Sequence, residues 1–458
     1  MAVPQENPLV HIEKLVHGGR GLGRLGSGKV VLVAGALPGE RVRIAVQQEA
    51  RGHAEAVVQE IVAAAAERVR PACPHYPDCG GCDLQHVAYA AQLRLKTGIV
   101  RESLQRAGVT PPAETGVLAS PLPYGYRFRL RLHLNRQGLG FYRRQSNTLV
   151  PVNRCLLASE GINAALAKIA ADPDFIRLLA QVVTEVELDE CPQTGRVFLV
   201  LATKKALMPA LRERLARSAA RARFVDCLCT AQGQFLFPFS TADALPTLCQ
   251  PFRLEPASRD ALSGEAGRQH SPCLPLAGLA YALHWQAGSF FQANTRHNAN
   301  LVALALTAAA QPKRALDLFC GAGNFSIPLA LNGAEVLGVE SSPAGIHWAR
   351  RNAVANGLDA RKASFIMADA GRALDRLVRE GRRFDLVLLD PPRQGLGRAA
   401  AHVPKLLPKR IVSISCDPAT HARDLQIMCT AGCRLEQLTV MDMFPQTHHI
   451  ESLALLSL

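Results

Sequence analysis

Residues 315–330 read ALDLFCGAGNFSIPLA, an apolar run that ends in a glycine turn and passes directly into helically spaced residues. Strand, turn and helix in that order form half of a βαβ unit. Gly321 and Gly323 let the backbone approach a ligand closely, beside the free N–H groups of the helix that follows. The dinucleotide fingerprint asks for a third glycine, but Ser326 stands at that position. NAD is therefore disfavoured, and another adenosine cofactor is expected.

Downstream the same rhythm repeats. Apolar runs at 335–339, 364–367, 384–389 and 410–414 alternate with helical segments, which predicts a doubly wound, Rossmann-like parallel sheet. The closing stretch CRLEQLTVMDMFPQTHHIESLALLSL (433–458) holds two strands with a short connection, fitting an antiparallel end to that sheet. Glu340 ends the second strand (VLGVE), Asp369 the third (FIMAD) and Asp390 the fourth (DLVLLD). Such sheets bind ligands at their carboxyl edge, where an acid can accept the ribose hydroxyls. A lone acid there reads first as a helix N-cap. Three in register after a glycine turn point to an S-adenosylmethionine-dependent methyltransferase.

The fifth strand ends in RIVSISCDPAT (410–420), a thiol at the strand mouth just before a proline turn. A packing cysteine belongs inside the run, so Cys416 is a candidate nucleophile facing the crevice. Glu451, which opens the last strand after QTHHI, is the candidate base.

Residues 1–63 read as a small OB-like β-barrel of short alternating runs between glycine and proline turns. GRLGSGKV (23–30) nearly forms a phosphate loop. Val30 offers no hydroxyl to Mg²⁺, however, and a strand follows where a helix is needed, so a nucleotide triphosphatase is rejected. Residues 64–284 read as a mixed α+β domain and 285–458 as the catalytic domain, with the helix over 87–109 able to pack against the latter. In YRFRLRLHLNRQGLGFYRR (126–144), strict alternation sets Arg127, Arg129, Arg131 and His133 on one strand face. That face is either an RNA surface or simply solvated.

The chain has 52 Lys+Arg against 38 Asp+Glu, a net charge of +14, which makes a polyanion such as RNA a natural partner. No secretory signal is visible at the N-terminus, and no apolar run reaches the ~20 residues of a membrane helix. A cytoplasmic address without membrane attachment is expected, and nothing demands a protein partner or more than a monomer. In that compartment the thirteen cysteines should be mostly reduced. CPHYPDCGGC sets Cys73, Cys79 and Cys82 in a C-x₅-C-x₂-C spacing with no fourth ligand close behind, which leaves zinc and an iron–sulfur cluster both open.

Together, LDLFCGAGNFS, LLDPPRQGLG, SISCDPATHARDL, HHIESLALL and FFQANTRHNANL resemble the RNA uracil-C5 methyltransferases, specifically the bacterial 23S rRNA enzymes with an N-terminal TRAM domain and a 4Fe-4S cluster. The resemblance covers nearly the whole chain. It implies that the barrel is a TRAM domain and that the central domain carries the cluster. Gln292, Phe319, Asn324, Glu340, Asp369 and Asp390 are then cofactor contacts, Cys416 the nucleophile and Glu451 the general base. Cys155, in PVNRCLLA, is the fourth cluster ligand beside Cys73, Cys79 and Cys82. Asp417 departs from the Asn that many members carry, and its charge would raise the neighbouring thiol's pKa unless it points away. The expected substrate is a uridine of 23S rRNA. The T-loop of tRNA is the rival, and an RNA-binding protein with a vestigial methyltransferase fold is a distant third.

Overall fold

A computed structural model describes residues 7–203, 207–222, 227–232, 235–238, 247–254 and 278–458. The architecture is multidomain α/β, as the sequence patterning predicts. Strands Leu9–Val16, Arg20–Arg24, Val30–Ala34, Arg41–Glu49 and His53–Ala63 close into a barrel. Val10, Ile12, Val31, Val33, Val42 and Ile44 fill its interior at 0–1% exposure. The false phosphate loop is simply the turn between the second and third of these strands.

A seven-stranded sheet in the middle of the chain centres on Arg129–Asn135, Val183–Glu190 and Val197–Thr203, with helices Glu160–Ala170 and Pro173–Leu179 packed on one side. The basic strand face has acidic neighbours. The neighbouring antiparallel strand lays Glu185, Glu187 and Asp189 opposite His133, Arg131 and Arg129. Arg129 Nε reaches Asp189 at 2.6 Å, Arg131 Nη2 reaches Glu187 at 3.0 Å and His133 Nδ1 reaches Glu185 at 3.4 Å. Arg127 turns inward over the rings of Tyr126 and Phe444. The alternation was legible, but the acids that neutralise it sit some fifty residues downstream, beyond the reach of a local pattern. On this face Arg129 and Arg131 are paired with acids of the next strand, and Arg131 remains largely exposed beside His133 and Glu185.

The catalytic sheet has eight strands: β1 (Gly116–Leu118), β2 (Arg314–Leu318), β3 (Glu335–Glu340), β4 (Ala363–Met367), β5 (Leu386–Leu389), β6 (Arg410–Ser415), β7 (Arg434–Met441) and β8 (Glu451–Ser457), in the order β4-β3-β2-β5-β6-β8-β7-β1. From β4 to β6 all pairs are parallel, and β8 runs antiparallel to both β6 and β7. Strand residues are apolar on both faces because helices cover both. Val412 and Ile414 join the layer containing α2 (Thr295–Ala309), α3 (Ser326–Leu331) and α4 (Pro343–Ala355), which also takes in strands Thr247–Leu254 and Leu279–Gln286. Ile411 and Leu389 join the opposite layer, with α1 (Tyr89–Arg106), α5 (Ala370–Arg379) and α6 (Pro418–Thr430). Thus α1, far upstream in sequence, packs into the catalytic core. Among the described residues no helix is long and apolar enough to cross a membrane.

Candidate active site

The carboxyl edge of the parallel strands gathers the chemistry. Phe319 leaves β2 with φ +65°, a left-handed conformation costly for a bulky side chain, and Gly321 and Gly323 continue the turn at +52° and +95°. This backbone cradle sits against Glu340. One carboxylate oxygen of Glu340 accepts the Gly321 N–H at 3.1 Å, and the other accepts the Ser342 N–H at 2.7 Å. Ser341 Oγ also donates to that second oxygen at 3.2 Å, so the oxygen facing Gly321 is the one that keeps a lone pair for a ribose hydroxyl. Asn324 exchanges amide hydrogen bonds with buried Asn298 at 2.8 and 3.1 Å, so half of its hydrogen-bonding capacity is already used. Asp369 caps α5 through the Arg372 N–H at 3.0 Å. Gln292 is half-buried just ahead of Asn294, the N-cap of α2.

Behind the cradle Asp317 is fully buried, with Ser326 Oγ donating to it at 2.5 Å and its other oxygen unpartnered. Burial pushes it up to about 7, with Asp390 and Glu340 adding to the rise against the Ser326 bond. Asp390 is likewise raised to about 7 by burial. An overall basic protein thus holds carboxyls clustered in one crevice. That environment fits a sulfonium cation, and the turn fits the adenosine that carries it.

Cys416 lies at the same edge. Ser415 pairs with Ser452 at the end of the β6–β8 ladder, and Cys416 leaves that end on the side of Glu451, whose carboxyl acts on the thiol. Glu451 is 4% exposed, and burial first, then Asp390, raises its carboxyl well above the ordinary range. The Cys416 thiol is pushed up to about 11 by burial, Glu451 and Asp390, with Arg393 opposing. The thiol and both carboxyls therefore lie within electrostatic reach of one another. Asp417 points away: Oδ1 accepts the Ala419 and Thr420 N–H groups at 3.0 and 2.9 Å and caps α6. Aspartate is a favoured N-cap, so this role holds the Asp417 carboxylate on the helix start.

Helix α6 also grips the segment after Asp390. Asp424 accepts the Leu396 and Gly397 N–H groups at 2.6 and 3.0 Å, and Thr420 Oγ1 donates to Arg393 O at 2.9 Å. Arg393, exposed at the crevice mouth and 3.3 Å from His449 Nδ1, escaped sequence reasoning. Its signal was available as the cation in D-P-P-R, three residues after a strand-end acid. Behind the ladder, His421 links Ser452 Oγ at 2.8 Å and Ser413 Oγ at 3.2 Å. Burial draws its pKa down to about 4, so it is neutral.

The four cysteines singled out by sequence converge as well. Cys73, Cys79, Cys82 and Cys155 line one cavity of about 60 Å³ together with Arg127. Burial raises the Cys79 and Cys82 thiols to about 11 and about 12, and each is raised further by Cys155. Among the described residues no group of three or more His, Cys, Asp and Glu side chains converges as a single ion needs. The thiols surround a volume instead.

Residues 8–58 match the TRAM domain family, and residues 271–458 match the tRNA (uracil-5-)-methyltransferase family. The chain is 35% identical to the 23S rRNA (uracil(1939)-C(5))-methyltransferase RlmD of Aeromonas hydrophila, over 97% of this chain and 94% of that protein. It is 33% identical to the enzyme of that name from Shewanella frigidimarina, over 98% and 95%. The solved Pyrococcus abyssi tRNA (uracil-54, C5)-methyltransferase, in complex with S-adenosyl-L-homocysteine, superposes with a TM-score of 0.69 at 25% identity, covering 97% of this chain and 99% of that one.

Proposed function

The chain belongs to the RNA uracil-C5 methyltransferase family, alongside the 23S rRNA enzymes, and from that premise we propose that it methylates C5 of the 23S rRNA uridine equivalent to position 1939 of its relatives' substrate. The observation that carries this reading is the nearness of Cys416, Glu451 and Asp390 at the carboxyl edge of the sheet, where both carboxyls act on the thiol.

C5 of uracil is too weak a nucleophile to take a methyl group directly. Cys416 adds to C6, turning C5 into an enolate-like carbon. S-adenosylmethionine supplies the methyl group from its sulfonium. Glu451, its proton affinity raised by burial, then removes the C5 proton so that the thiolate leaves by elimination. Asp390 lies close enough to both groups to help orient the ring, while Gln292, Phe319, Asn324, Glu340 and Asp369 line or support the cofactor side of the crevice. A uracil stacked in a duplex cannot present C6 to the thiol, so the target nucleotide enters flipped out.

Cys73, Cys79, Cys82 and Cys155 are assigned to a 4Fe-4S cluster. Four thiols around one cavity, with no set of ligands among the described residues converging on a single ion, support a cluster over a single zinc. The protein is placed in the cytoplasm, where ribosomal RNA is found.

The test is to incubate purified enzyme and S-adenosylmethionine with unmodified 23S rRNA and tRNA transcripts and to map 5-methyluridine. Methylation at the single rRNA site is expected. Methylation of the tRNA T-loop alone would overturn the substrate assignment, and no product on either RNA would overturn the activity.

A further inference from the structure

The connection between β7 and β8, residues 442–450, leads directly into Glu451. It makes no strand ladder of its own yet is largely buried: Asp442, Thr447 and Ile450 are 1% exposed, Met443 0% and Gln446 3%. Buried backbone groups must find partners. Many of those for this segment come from the cysteine loop and α1. Gln446 O accepts both the Asp83 and Leu84 N–H groups at 3.0 Å. Gln92 and Gln446 exchange bonds at 2.9 and 3.0 Å. Most telling is Asp83, the residue after Cys82. Its Oδ2 alone accepts the His448 backbone N–H at 3.2 Å and the His448 Nδ1–H at 2.5 Å.

The barrel seals this clasp. Gly19 sits so close that a Cβ there would lie 2.9 Å from Asp83 Cβ and 3.3 Å from His448 Cβ. The glycine backbone packs against both partners, which remain partly exposed at the seam. His448 stands three residues before Glu451, so the clasp fixes the end of the connection from which the base projects.

We propose that Asp83 is a positioning residue for Glu451, holding the 442–450 connection through His448 so that the carboxylate meets the C5 proton. The cysteine loop thereby acts in the elimination step, whereas thiol attack and methyl transfer depend on Cys416 and the cofactor cradle. The inference rests on Glu451 being the base. A small misplacement of such a group costs up to about 10²-fold in rate. The signature of its loss is specific: attack and methylation proceed, elimination stalls, and a covalent RNA–protein adduct builds up.

The experiment compares wild type, D83A, D83N and E451Q in single turnover on 23S rRNA transcript, reading the adduct on denaturing gels, kcat, KM for RNA and iron content. D83A should lower kcat about tenfold or more with unchanged KM and accumulate adduct. Because a single oxygen accepts both His448 bonds, D83N retains that acceptor and should recover most of the rate. D83A behaving as wild type, or losing kcat without adduct while E451Q accumulates it, would overturn the proposal and leave the base assignment standing. E451Q without adduct would overturn the base assignment, and the positioning role with it. Should D83A lose iron or fail to fold, H448A tests the clasp from the other side: adduct supports the proposal, wild-type turnover overturns it.

Discussion

Ser415 and Ser452 face each other across antiparallel β6 and β8, and that register brings Cys416 and Glu451, the next residues beyond the pair, within electrostatic reach of one another. A shift of one residue would turn one of the two side chains to the other face of the sheet. Neutral His421, bonded to Ser452 and Ser413 at once, fastens the register from behind.

The first prediction concerns the thiol. C416A removes the thiol proposed to add to C6 and leave again. Methyl transfer should fall on the order of 10⁴-fold or more. S-adenosylmethionine binding, followed by calorimetry, should stay near wild type because the glycine turn and Glu340 are untouched. Substantial turnover in C416A would exclude a covalent route.

The second prediction uses the charges around that thiol. Burial raises Cys416 first, and the negative charges of Glu451 and Asp390 raise it further, to about 11. Neutralising either carboxyl in E451Q or D390N should bring the thiol back towards its ordinary value. Iodoacetamide alkylation measured against pH should therefore show its inflection at lower pH in both variants. An unmoved inflection would separate the carboxyls from the sulfur.

Much of this site was legible before any coordinates, and the reasons are physical. A parallel sheet presents the C-terminus of each strand at one edge, so Glu340, Asp390 and Cys416 could be placed together from strand ends alone. Glycine at 321 and 323 announced the cradle because left-handed backbone strongly favours glycine. Phe319 broke that rule at φ +65°, and nothing in its local sequence signals the exception. For the basic face of 126–144, period-two alternation reports which side chains share a face but not the acids that lie across from them. Asp83 and His448 were invisible for a related reason: 365 positions separate them, and only the packed fold brings them to 2.5 Å.

The third prediction is a pH dependence. Asp317 and Asp390 are both raised to about 7, so they are largely neutral below that pH and ionised above it. A sulfonium ligand gains attraction as they ionise. Affinity for S-adenosylmethionine should therefore rise as pH increases through about 7, whereas neutral-sulfur S-adenosylhomocysteine should show a flatter profile. Parallel titration calorimetry at several pH values checks this, and coincident profiles would count against the crevice carboxyls facing the sulfur.

The fourth prediction concerns stability. Lys96 of α1 and Asp442 form an ion pair at 2.7 Å with side chains 1% and 0% exposed. Lys96 Nζ also donates to Phe444 O at 3.2 Å. Removing one member of a buried pair leaves an uncompensated charge, a cost of about 3–5 kcal/mol. K96M should lower the melting transition of the catalytic domain clearly, and K96M/D442N should recover part of the loss. Equal melting of K96M and wild type would mean that solvent reaches the pair.

The last prediction tests the fourth cysteine. Cys155 lies more than seventy residues from Cys82 in sequence, yet both line the same cavity, and Cys155 also packs against the core of the central sheet. Protein purified without oxygen should be brown and hold about four irons per chain. C155A should lose most of that iron and the visible absorbance. It should also melt earlier, because ligation would tie the loop around residues 73–82 to the central domain. Two measurements separate the alternatives: a colourless wild-type protein with one zinc would replace the cluster by a single ion, and full iron in C155A would move the fourth ligand elsewhere. Charge supports the expected outcome. Arg127, half-buried over Tyr126 and Phe444, lies beside the thiols and favours the ionised sulfurs that iron requires.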